Sequence, residues 1–532
     1  MKKIFFAIMF WLSVSPAFAL ICPGVPNSFV PGQVISSSQF NANFTTLLNC
    51  LNTGVAQSGA NTNITALLGL SSPLPFSAGG TSVANGNLPV TTSGSSTARG
   101  VVDRFSETFD APDYGLVGDG TTSNSMSALA TAISAAPNGA LAHFPCGVYK
   151  ITASPTINVP SGKRIKLRGD GHDCTELWFS GANGPYVSYG SVFSSFDVED
   201  MTLTTDGTSY TGLQLVQTHN NGTNQSLQYG PLHTFKDVFF RGHDFYGSRT
   251  QYWATAFYEK NVSNINFVGG GCMGNTSYLN LCYSLNGDPA AQSYSVALNF
   301  YGTNIGLCNQ GISMGDWTQG VETFGANIIG CNNPIIVPSG GTGVGSGLLV
   351  SSTEINGFTC EICVNATNFN NLQINNSQII INSNSTGIRV NGTNFVITGN
   401  AINCVGTAST ANTKGVQLIS SYGNGGVVSA NAIQNCTYGV ANSSGAFART
   451  LVSYNQFTNN TMDYSINASS TGVLVKDGTP RNLSTIVGCG AATIYDEFLQ
   501  ADATAPGYQS VAASGGAYPV HLVCDGTNWR NN

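Results

Sequence analysis

The fold is decided by a short phrase that recurs through the second half of the chain, as LCNQGI (307–312), GCNNPI (330–335), TCEICV (359–364), SNSTGI (383–388) and NCTYGV (435–440). Taken as one column, the repeats step by 23, 29, 23, 21 and 32 residues through Cys308, Cys331, Cys360, Ser383, Cys404 and Cys436. Steps of this size are typical of a solenoid in which each repeat is one turn of the chain. Apolar residues alternate over short runs between turn residues, so the repeats consist of strands, and the period predicts an all-β parallel β-helix.

The composition agrees with a folded chain of short strands. Only 8% of the 532 residues are charged and 63 are Gly, but 42% are hydrophobic and 28 are Phe, which argues against disorder. A net charge of -7 gives no reason to expect nucleic acid as a partner.

The first 19 residues are typical of a signal peptide. Lys2 and Lys3 precede an apolar stretch from Ile4 to Val14, and Ala17-Phe18-Ala19 fits the small-x-small cleavage rule. The stretch is short for a membrane span, so we expect cleavage after Ala19, no membrane span afterwards, and export to the periplasm or the exterior.

All 14 cysteines lie after this peptide, where disulfides are plausible. Spacing predicts four local pairs: Cys22–Cys50, Cys146–Cys174, Cys272–Cys282 and Cys489–Cys524. Cys308 over Cys331, and Cys404 over Cys436, would be neighbours on adjacent coils that either bridge or fill the core as small apolar residues. No tight Cys/His spacing occurs, so no metal site is predicted.

The chain divides into four segments: the signal peptide 1–19, a Ser/Thr/Gly-rich segment 20–105, the coils 106–485, and a small disulfide-containing C-terminal module 486–532. Within the second segment, residues 39–52 predict a helix with Phe40, Phe44, Leu47 and Leu51 along one face.

Three ordered motifs resemble the pectate lyase superfamily domain of secreted polysaccharide lyases, hydrolases and phage tailspikes. They are DYGLVGDGTT at 113–122, PCGVY at 145–149 and LRGDGHDCT at 167–175, with a short helix expected from Ser125 to Ala135. The resemblance covers roughly residues 106–480, and it departs at Ser123 and Asn124, where members usually carry two acids. The flanks, STARGVVDRF at 96–105 and the phrase at 502–529, resemble segments of phage tail proteins and exported bacterial proteins.

This resemblance implies a right-handed, pectin lyase-like parallel β-helix with a polysaccharide as substrate or ligand. The first expected function is an exported polysaccharide-degrading enzyme, either a glycoside hydrolase or a polysaccharide lyase. The alternatives are a non-catalytic, tailspike-like carbohydrate-binding or adhesive protein, and a purely structural rod. Hydrolysing members use paired carboxylates and no cofactor, eliminating members use Ca²⁺, and tailspike relatives form homotrimers.

Candidate catalytic acids come from the first half of the coils, because residues 197–361 contain twelve acids and residues 362–462 contain none. The candidates are Asp237, Asp244, Asp316, Glu322 and Glu354. Asp237 occupies the same repeat position as Asp200, and Asn264 is aligned with both; such stacked acids either share a proton or cap strand starts. Glu322 and Glu354 lie one coil apart but about three positions out of register. A second polar column, Asn400, Asn431 and Asn455, is interpreted as a structural amide ladder.

Candidate substrate-binding residues concentrate in the stretch 241–260, which is interpreted as a loop beside the groove or as a cover that packs on a neighbour. They are Arg241, Tyr246, Arg249 and Trp253, together with Trp317 next to Asp316. Aromatic faces and guanidinium groups suit sugars, acidic sugars included. A lone His243 is not enough to predict acid–base catalysis or a metal site.

Overall fold

A computed structural model describes most of the chain after residue 107 and part of what precedes it. The described residues are 26–28, 30, 32, 34, 36–54, 89–90, 99–100, 108–136, 139–190, 193–217, 232–290, 293–337, 346–357, 360–382, 384–405, 412–420, 425–442, 446–466, 471–481, 497–503, 518–525 and 527–531. The predicted signal peptide lies outside them. The chain forms two compact units, Met1–Val102 and Asp103–Asn532.

The first unit contains the helix α1 (Ser37–Gly54) and a two-stranded antiparallel pair, Pro89–Val90 with Arg99–Gly100. The helix predicted over residues 39–52 is confirmed. Its apolar positions Phe40, Phe44 and Leu47 are 51%, 61% and 48% exposed. No helix among the described residues is long and apolar enough to cross a membrane.

The second unit is a parallel β-helix whose coils pass in turn through three sheets, here named A, B and C. Sheet A contains Thr108–Asp110, Ala140–Phe144, Arg164–Gly169, Ile265–Val268, Ser295–Tyr301, Thr318–Phe324, Ser346–Ser351, Phe395–Thr398, Gly426–Ser429, Ala446–Ser453 and Thr471–Arg481. Sheet B contains Gly147–Ile151, Thr175–Phe179, Gly271–Met273, Asn304–Gly306, Asn327–Ile329, Glu354–Gly357, Gln378–Ile381, Ala401–Cys404, Ala432–Gln434 and Gln456–Thr458. Sheet C contains Thr156–Val159, Tyr186–Tyr189, Thr211–Gln217, Thr255–Lys260, Leu281–Asn286, Gln310–Met314, Asn333–Val337, Thr386–Thr393, Lys414–Ser420, Tyr438–Asn442 and Met462–Ser465.

Three longer strands bend from one sheet into the next. Ser195–Thr205 and His233–Gly242 pass from sheet A to sheet B, and Ile362–Asn375 passes from sheet C to sheet A. The all-β, right-handed parallel β-helix predicted from the sequence is therefore confirmed.

Both ends of the β-helix carry additional elements. A 3-10 helix (Ala111–Tyr114) and the helix α2 (Ser127–Ala135), expected over Ser125 to Ala135, lie at the N-terminal end. Met126, just before α2, and Leu129 and Ile133 within it are buried. At the other end, Glu497–Ala503 continues from Thr471–Arg481 in parallel. It then pairs antiparallel with Tyr518–Cys524, which pairs with Trp529–Asn531.

The core is filled by columns of identical or similar side chains, because parallel strands in register stack equivalent positions. Phe235, Phe267 and Phe300 follow one another in sheet A, with ring centroids 5.3 Å and 4.6 Å apart. Phe257 and Tyr283 from sheet C meet them edge-on. Each such fully buried side chain contributes roughly 1.5–3 kcal/mol of transfer free energy, so the stack is a major source of stability.

The corners between sheets use the left-handed backbone conformation, which Asp and Asn tolerate better than most residues. Asp200 and Asp237 both adopt it at the A-to-B corner, with φ of 56° and 51°. Their predicted equivalence is supported by the adjoining register of Met201 with Val238. Asn264 (φ 58°) is at the C-to-A corner instead, so its alignment with them was wrong.

The predicted amide ladder lies in the same A-to-B corner, one residue further on, and it is confirmed. Asn400 Nδ2 donates to Asn431 Oδ1 at 2.9 Å, and Asn431 Nδ2 donates to Asn455 Oδ1 at 2.9 Å. All three side chains are buried, and each also donates to a backbone carbonyl of sheet A.

Disulfides join adjacent coils at some positions and residues of one coil at others. The predicted bridges Cys146–Cys174 and Cys272–Cys282 are present. Cys308 and Cys331 stack with Cα atoms 4.4 Å apart and are bridged, as are Cys404 and Cys436, which decides between the two alternatives left open by the sequence. A further bridge, Cys360–Cys363, was not foreseen.

The remaining two predicted pairs are only partly described. Cys524 is disulfide-bonded. Cys22, Cys489 and the side chain of Cys50 lie outside the described residues, so the pairs Cys22–Cys50 and Cys489–Cys524 stay predictions.

Candidate functional site

A group of charged and aromatic side chains that contact one another lies on the outer face of sheet B and in the loop from His243 to Ala254 that follows it. We call it the His243 cluster: Lys150, Glu176, Trp178, Arg241, His243 and Tyr246. Strand register places Trp178, Thr204 and Arg241 in one outward-facing row. Because adjacent coils are about 4.8 Å apart, residues distant in sequence become neighbours here.

His243 is held on two sides. Its Nδ1 lies 2.7 Å from Glu176 Oε1, and its ring stacks flat on the indole of Trp178, with centroids 3.9 Å apart and planes at 0°. The ammonium of Lys150 lies 4.7 Å from the same indole. The imidazole is thus fixed in position and orientation, while its side chain stays 33% exposed.

Glu176 is a largely covered carboxylate, with its side chain 16% exposed. Burial would favour the neutral acid, but hydrogen bonds from His243 and Thr204 and the charge of Arg241 together lower the pKa of Glu176 below its usual value. An ionised carboxylate only accepts hydrogen bonds, so Nδ1 of His243 carries the donated proton. The other ring nitrogen, Nε2, is then the basic one whenever the imidazole is neutral.

The guanidinium of Arg241 connects the carboxylate to the loop. It lies 3.8 Å from Glu176 Oε2 and 4.8 Å from the ring centroid of Tyr246, which is 78% exposed. Arg249 makes a similar contact with Phe245, at 5.0 Å, and is itself exposed. Tyr246 and Arg249 lie in the loop from His243 to Ala254, whereas Arg241 belongs to the strand that precedes it. The predicted loop 241–260 is therefore a loop only in its middle part, because both of its ends are strands.

Asp244 belongs to the architecture of this loop. Its carboxylate accepts hydrogen bonds from Ser248 Oγ, from the backbone and hydroxyl of Thr250, and from the backbone of Gln251. These bonds lower the pKa of Asp244 against the opposing effect of its burial. The carboxylate closes the loop on itself, which favours a structural role over the catalytic one predicted.

Trp253 is a correction to the predicted binding set. The side chain is 1% exposed, packs against Phe179 at 6.0 Å, and donates Nε1–H to Leu203 O. A sugar stacks on an open aromatic face, and Trp253 has none to offer. The indole belongs to the core beneath the loop.

The remaining predicted acids are not brought together. Asp237 is at the A-to-B corner, Glu322 is on the outer face of sheet A opposite Leu349, and Glu354 is on sheet B opposite Gln378. Glu322 and Glu354 therefore belong to different sheets, and the A-to-B corner lies between them along the chain.

Asp316 and Trp317 lie at the C-to-A corner, next to an acid that the sequence did not single out. Gly287 N–H donates to Asp316 O at 2.9 Å, which places Asp316 one coil from Asp288. Asp288 pairs with Lys260 at 3.3 Å, and Trp317 lies 4.6 Å from Tyr294. We call Lys260, Asp288, Tyr294, Asp316 and Trp317 the Asp288 corner.

Sequence reasoning missed Glu176, Trp178 and Lys150. Glu176 and Trp178 alternate on the strand TELWF at 175–179, so their outward direction was readable. Their contact with His243, which follows Glu176 by 67 residues, was not readable, because it depends on which positions of successive coils stack. Among the described residues no group of three His, Cys, Asp or Glu side chains is arranged to hold a metal ion.

No protein-family model and no curated protein sequence matches this chain. Similar solved structures include tailspike protein 3 of bacteriophage CBA120 (13% identity, TM-score 0.43, covering 84% of this chain and 72% of that one). They also include the A-module of mannuronan C-5 epimerase AlgE6 from Azotobacter vinelandii (16%, 0.41, 70% and 100%) and ORF18 of Geobacillus virus E2 (15%, 0.41, 80% and 76%). At these identities the likeness concerns the fold alone.

Proposed function

We propose that this protein is an exported β-helix that binds an anionic polysaccharide through the His243 cluster. The observation that carries the proposal is the arrangement of Arg241 beneath the exposed ring of Tyr246, beside the fixed Trp178–His243 pair. A planar guanidinium next to an open aromatic face suits a sugar that carries a carboxylate.

The charges of the cluster favour an acidic ligand. Lys150 and Arg241 of the cluster, together with Arg249 in the adjoining loop, supply three cations within a chain of net charge -7. The two nearby carboxylates, Glu176 and Asp244, are both engaged in hydrogen bonds within the cluster and loop. The buried Nε1–H of Trp178 has no partner among the described residues, and a ligand oxygen or an ordered water can satisfy it.

Binding is tested by affinity electrophoresis and calorimetry with polygalacturonate and alginate, using dextran as the neutral polymer. We expect retention by an acidic polymer, and at least about a tenfold loss of affinity in Tyr246→Ala and Arg241→Ala, equal to about 1.4 kcal/mol. Tyr454→Ala is the matched control, since Tyr454 is also exposed (67%) but lies in a distant coil. Retention by no acidic polymer, or equal losses in the control, would refute the proposal.

Export remains part of the proposal together with the signal peptide. Its support is chemical: the described residues contain five disulfides, and such bridges persist in oxidising compartments. The homotrimer stays a prediction that follows from the tailspike resemblance; light scattering of the purified chain tests it.

A second candidate function, glycoside hydrolysis, is favoured by the Asp288 corner. Asp288 and Asp316 lie on adjacent coils, which are spaced about 4.8 Å apart, and glycosidases use two carboxylates about 5 to 9.5 Å apart. The indole of Trp317 beside them offers a surface on which a sugar can stack. The buried Nε1–H of Trp317 also has no partner among the described residues. We expect Asp288→Asn or Asp316→Asn to abolish release of reducing ends. The same activity in both variants would exclude this site.

A further inference from the structure

We propose that the Cys146–Cys174 bridge is a thiol–disulfide exchange site, and that its reduction loosens the His243 cluster and weakens ligand binding there. Two of the strands that form the cluster, Gly147–Ile151 and Thr175–Phe179, begin directly after the two bridged cysteines. The part of the inference that concerns binding rests on the proposed function.

Solvent reaches this bridge, unlike the other four that the structure describes. Cys146 is exposed and Cys174 is partly exposed. The eight cysteines of the other four bridges are at most 1% exposed: Cys272, Cys282, Cys308, Cys331, Cys360, Cys363, Cys404 and Cys436. Exchange requires a thiolate to reach a sulfur of the bridge, so its rate depends on access. Among the described bridges, a dithiol in solution therefore attacks Cys146–Cys174 first.

The bridge holds the strands that carry half of the cluster. Lys150 is paired in register with Trp178, and its ammonium lies 4.7 Å from the centre of the indole. Glu176 is two positions after Cys174 and contacts His243 Nδ1 at 2.7 Å. A displacement at the start of these strands is therefore passed directly to the side chains that orient the imidazole.

Reduction forces the two sulfur atoms apart. Bonded sulfurs are about 2.05 Å apart, whereas heavy atoms that are not bonded settle at about 3.5–4.0 Å. The Cα atoms of Cys146 and Cys174 are only 4.8 Å apart, so the sulfurs gain this distance by side-chain rotation together with separation of the strand starts. Loss of the covalent link also makes local opening of the two coils less costly.

Hydrogen bonds around Asp170 keep the two turns together after reduction. Asp170 Oδ2 accepts a hydrogen bond from Cys146 N–H at 3.1 Å, and Asp170 Oδ1 lies 2.8 Å from His143 Nε2. His143 Nδ1 lies 2.7 Å from Asp110 Oδ1. Hydrogen bonds to a carboxylate are stronger than those between neutral groups. We therefore expect the coil to stay folded in the reduced state, so that the exchange is reversible.

The exchange balances with a dithiol as the reductant. One thiolate of the dithiol attacks a sulfur of the bridge and forms a mixed disulfide, while the other cysteine leaves as a thiolate. The second thiol of the reductant then displaces the remaining cysteine and closes the disulfide of the reductant. Two electrons pass from the dithiol to the bridge, and the two protons that the dithiol loses are taken up by Cys146 and Cys174.

The first test treats the purified, folded full-length protein with dithiothreitol, labels thiols with iodoacetamide and maps the labels by mass spectrometry. Among the ten cysteines of the described bridges, we expect Cys146 and Cys174 to be labelled at least about tenfold faster than the others. The reduced, unlabelled protein should show faster amide hydrogen exchange in Thr175–Phe179. It should also bind polygalacturonate or alginate at least about fivefold more weakly in calorimetry, because the site is less preorganised.

Variants separate this bridge from the others. The paired substitution Cys146→Ser and Cys174→Ser should reproduce both changes and make them insensitive to dithiothreitol. The pair Cys404→Ala and Cys436→Ala is the matched control, because it also removes a bridge between adjacent coils, but one that is buried and lies in distant coils. Its affinity should equal that of the native protein. Circular dichroism establishes that each variant is folded.

The outcomes distinguish the inference from the proposed function. Labelling of the buried bridges as fast as that of Cys146 and Cys174 would overturn the inference. Unchanged hydrogen exchange in Thr175–Phe179 after reduction would also overturn it, as would unchanged affinity of a protein that binds the polymer when oxidised. An oxidised protein that binds no acidic polymer would refute the proposed function, and hydrogen exchange would then decide whether reduction loosens the cluster.

Discussion

Single residues of one loop differ sharply in what they can contact. Tyr246 is 78% exposed and Trp253 is 1% exposed, although seven positions separate them and both are large aromatics. Residue type made both candidates for sugar binding, whereas burial keeps only Tyr246. Acids likewise differ in whether they are available to a ligand, since both carboxylate oxygens of Asp244 accept hydrogen bonds from the loop backbone.

Replacing Trp253 by Phe tests its core role. The variant loses the hydrogen bond from Nε1 to Leu203 O and part of the ring volume, so we expect the free energy of unfolding to fall by about 1–3 kcal/mol. Polysaccharide affinity should not change. Tyr246→Ala is the reciprocal control, with weaker binding and nearly unchanged stability. Weaker binding in Trp253→Phe at unchanged stability would contradict this assignment.

Glu259 makes stability depend on pH. Its side chain is buried, and burial raises its pKa to about 8, against hydrogen bonds from Val262 N, Ser295 Oγ and Asn286 N. Because the folded pKa is raised above the unfolded value, the stabilisation is fully present below about pH 4.5 and is lost as the pH rises through about 8.

Urea unfolding at pH 5, 7 and 9 checks this dependence. Wild-type stability should fall across the series, and Glu259→Gln, which cannot ionise, should lack that part of the slope. Glu354→Gln serves as the control, since Glu354 is partly exposed on sheet B. Parallel slopes for Glu259→Gln and wild type would show that the group does not titrate in this range.

At the scale of elements, the corners between sheets decide how coils stack. Left-handed residues mark the A-to-B corner in successive coils, among them Asp237, Ser352 and Asn376. In several coils the next residue has a buried polar side chain. Its oxygen accepts a hydrogen bond from the backbone N–H of the equivalent residue in the preceding coil. Backbone groups that a corner removes from the sheets are thereby paired.

The middle member of the amide ladder should be the most costly to remove. Asn431→Ala removes the acceptor of Asn400 N–H and the side-chain donor to Ile397 O in a buried corner, so we expect a loss of about 2–4 kcal/mol in the free energy of unfolding. Asn299→Ala, which breaks a half-buried pair with Asn266 on the outer face of sheet A, should cost less than about 1 kcal/mol. Equal losses measured by urea denaturation would show that the ladder is not special.

At the scale of the whole molecule, each coil contacts chiefly its neighbours, so stability accumulates coil by coil. Cross-coil disulfides oppose local separation of adjacent coils. Cys308–Cys331 closes 23 residues, whereas Cys360–Cys363 closes only 3. The entropic benefit of a bridge grows with the closed loop.

The paired substitution of Cys308 and Cys331 by Ala should lower the free energy of unfolding by about 3 kcal/mol, and that of Cys360 and Cys363 by about half as much. Thermal and urea unfolding under non-oxidising, non-reducing conditions measure both. Both pairs are buried, so a difference in burial does not account for a difference between the two variants. A larger loss for the short bridge would contradict the entropic explanation.

The fold was predictable from the sequence to a greater extent than the site. Alternating residues and turn signals identified strands, the helices at 39–52 and near 125–135, and the stacking of Cys308 on Cys331. Asn264 was assigned to the wrong corner, because more than one corner uses left-handed Asn and the sequence does not label them. Glu322 and Glu354 looked like neighbours because their spacing in the sequence is close to one coil. Sequence spacing does not show which of the three sheets a residue belongs to.

The sequence by itself determined that the chain winds into stacked coils, since strand, turn and core positions are set by residues close together in the chain. Only the tertiary structure decided which side chains share a surface. Coil lengths vary, with 37 positions from Thr202 to its partner Phe239 and 23 from Ile305 to Ile328. The register between adjacent coils is therefore fixed by the backbone hydrogen bonds that join them. That register brings Glu176 next to His243.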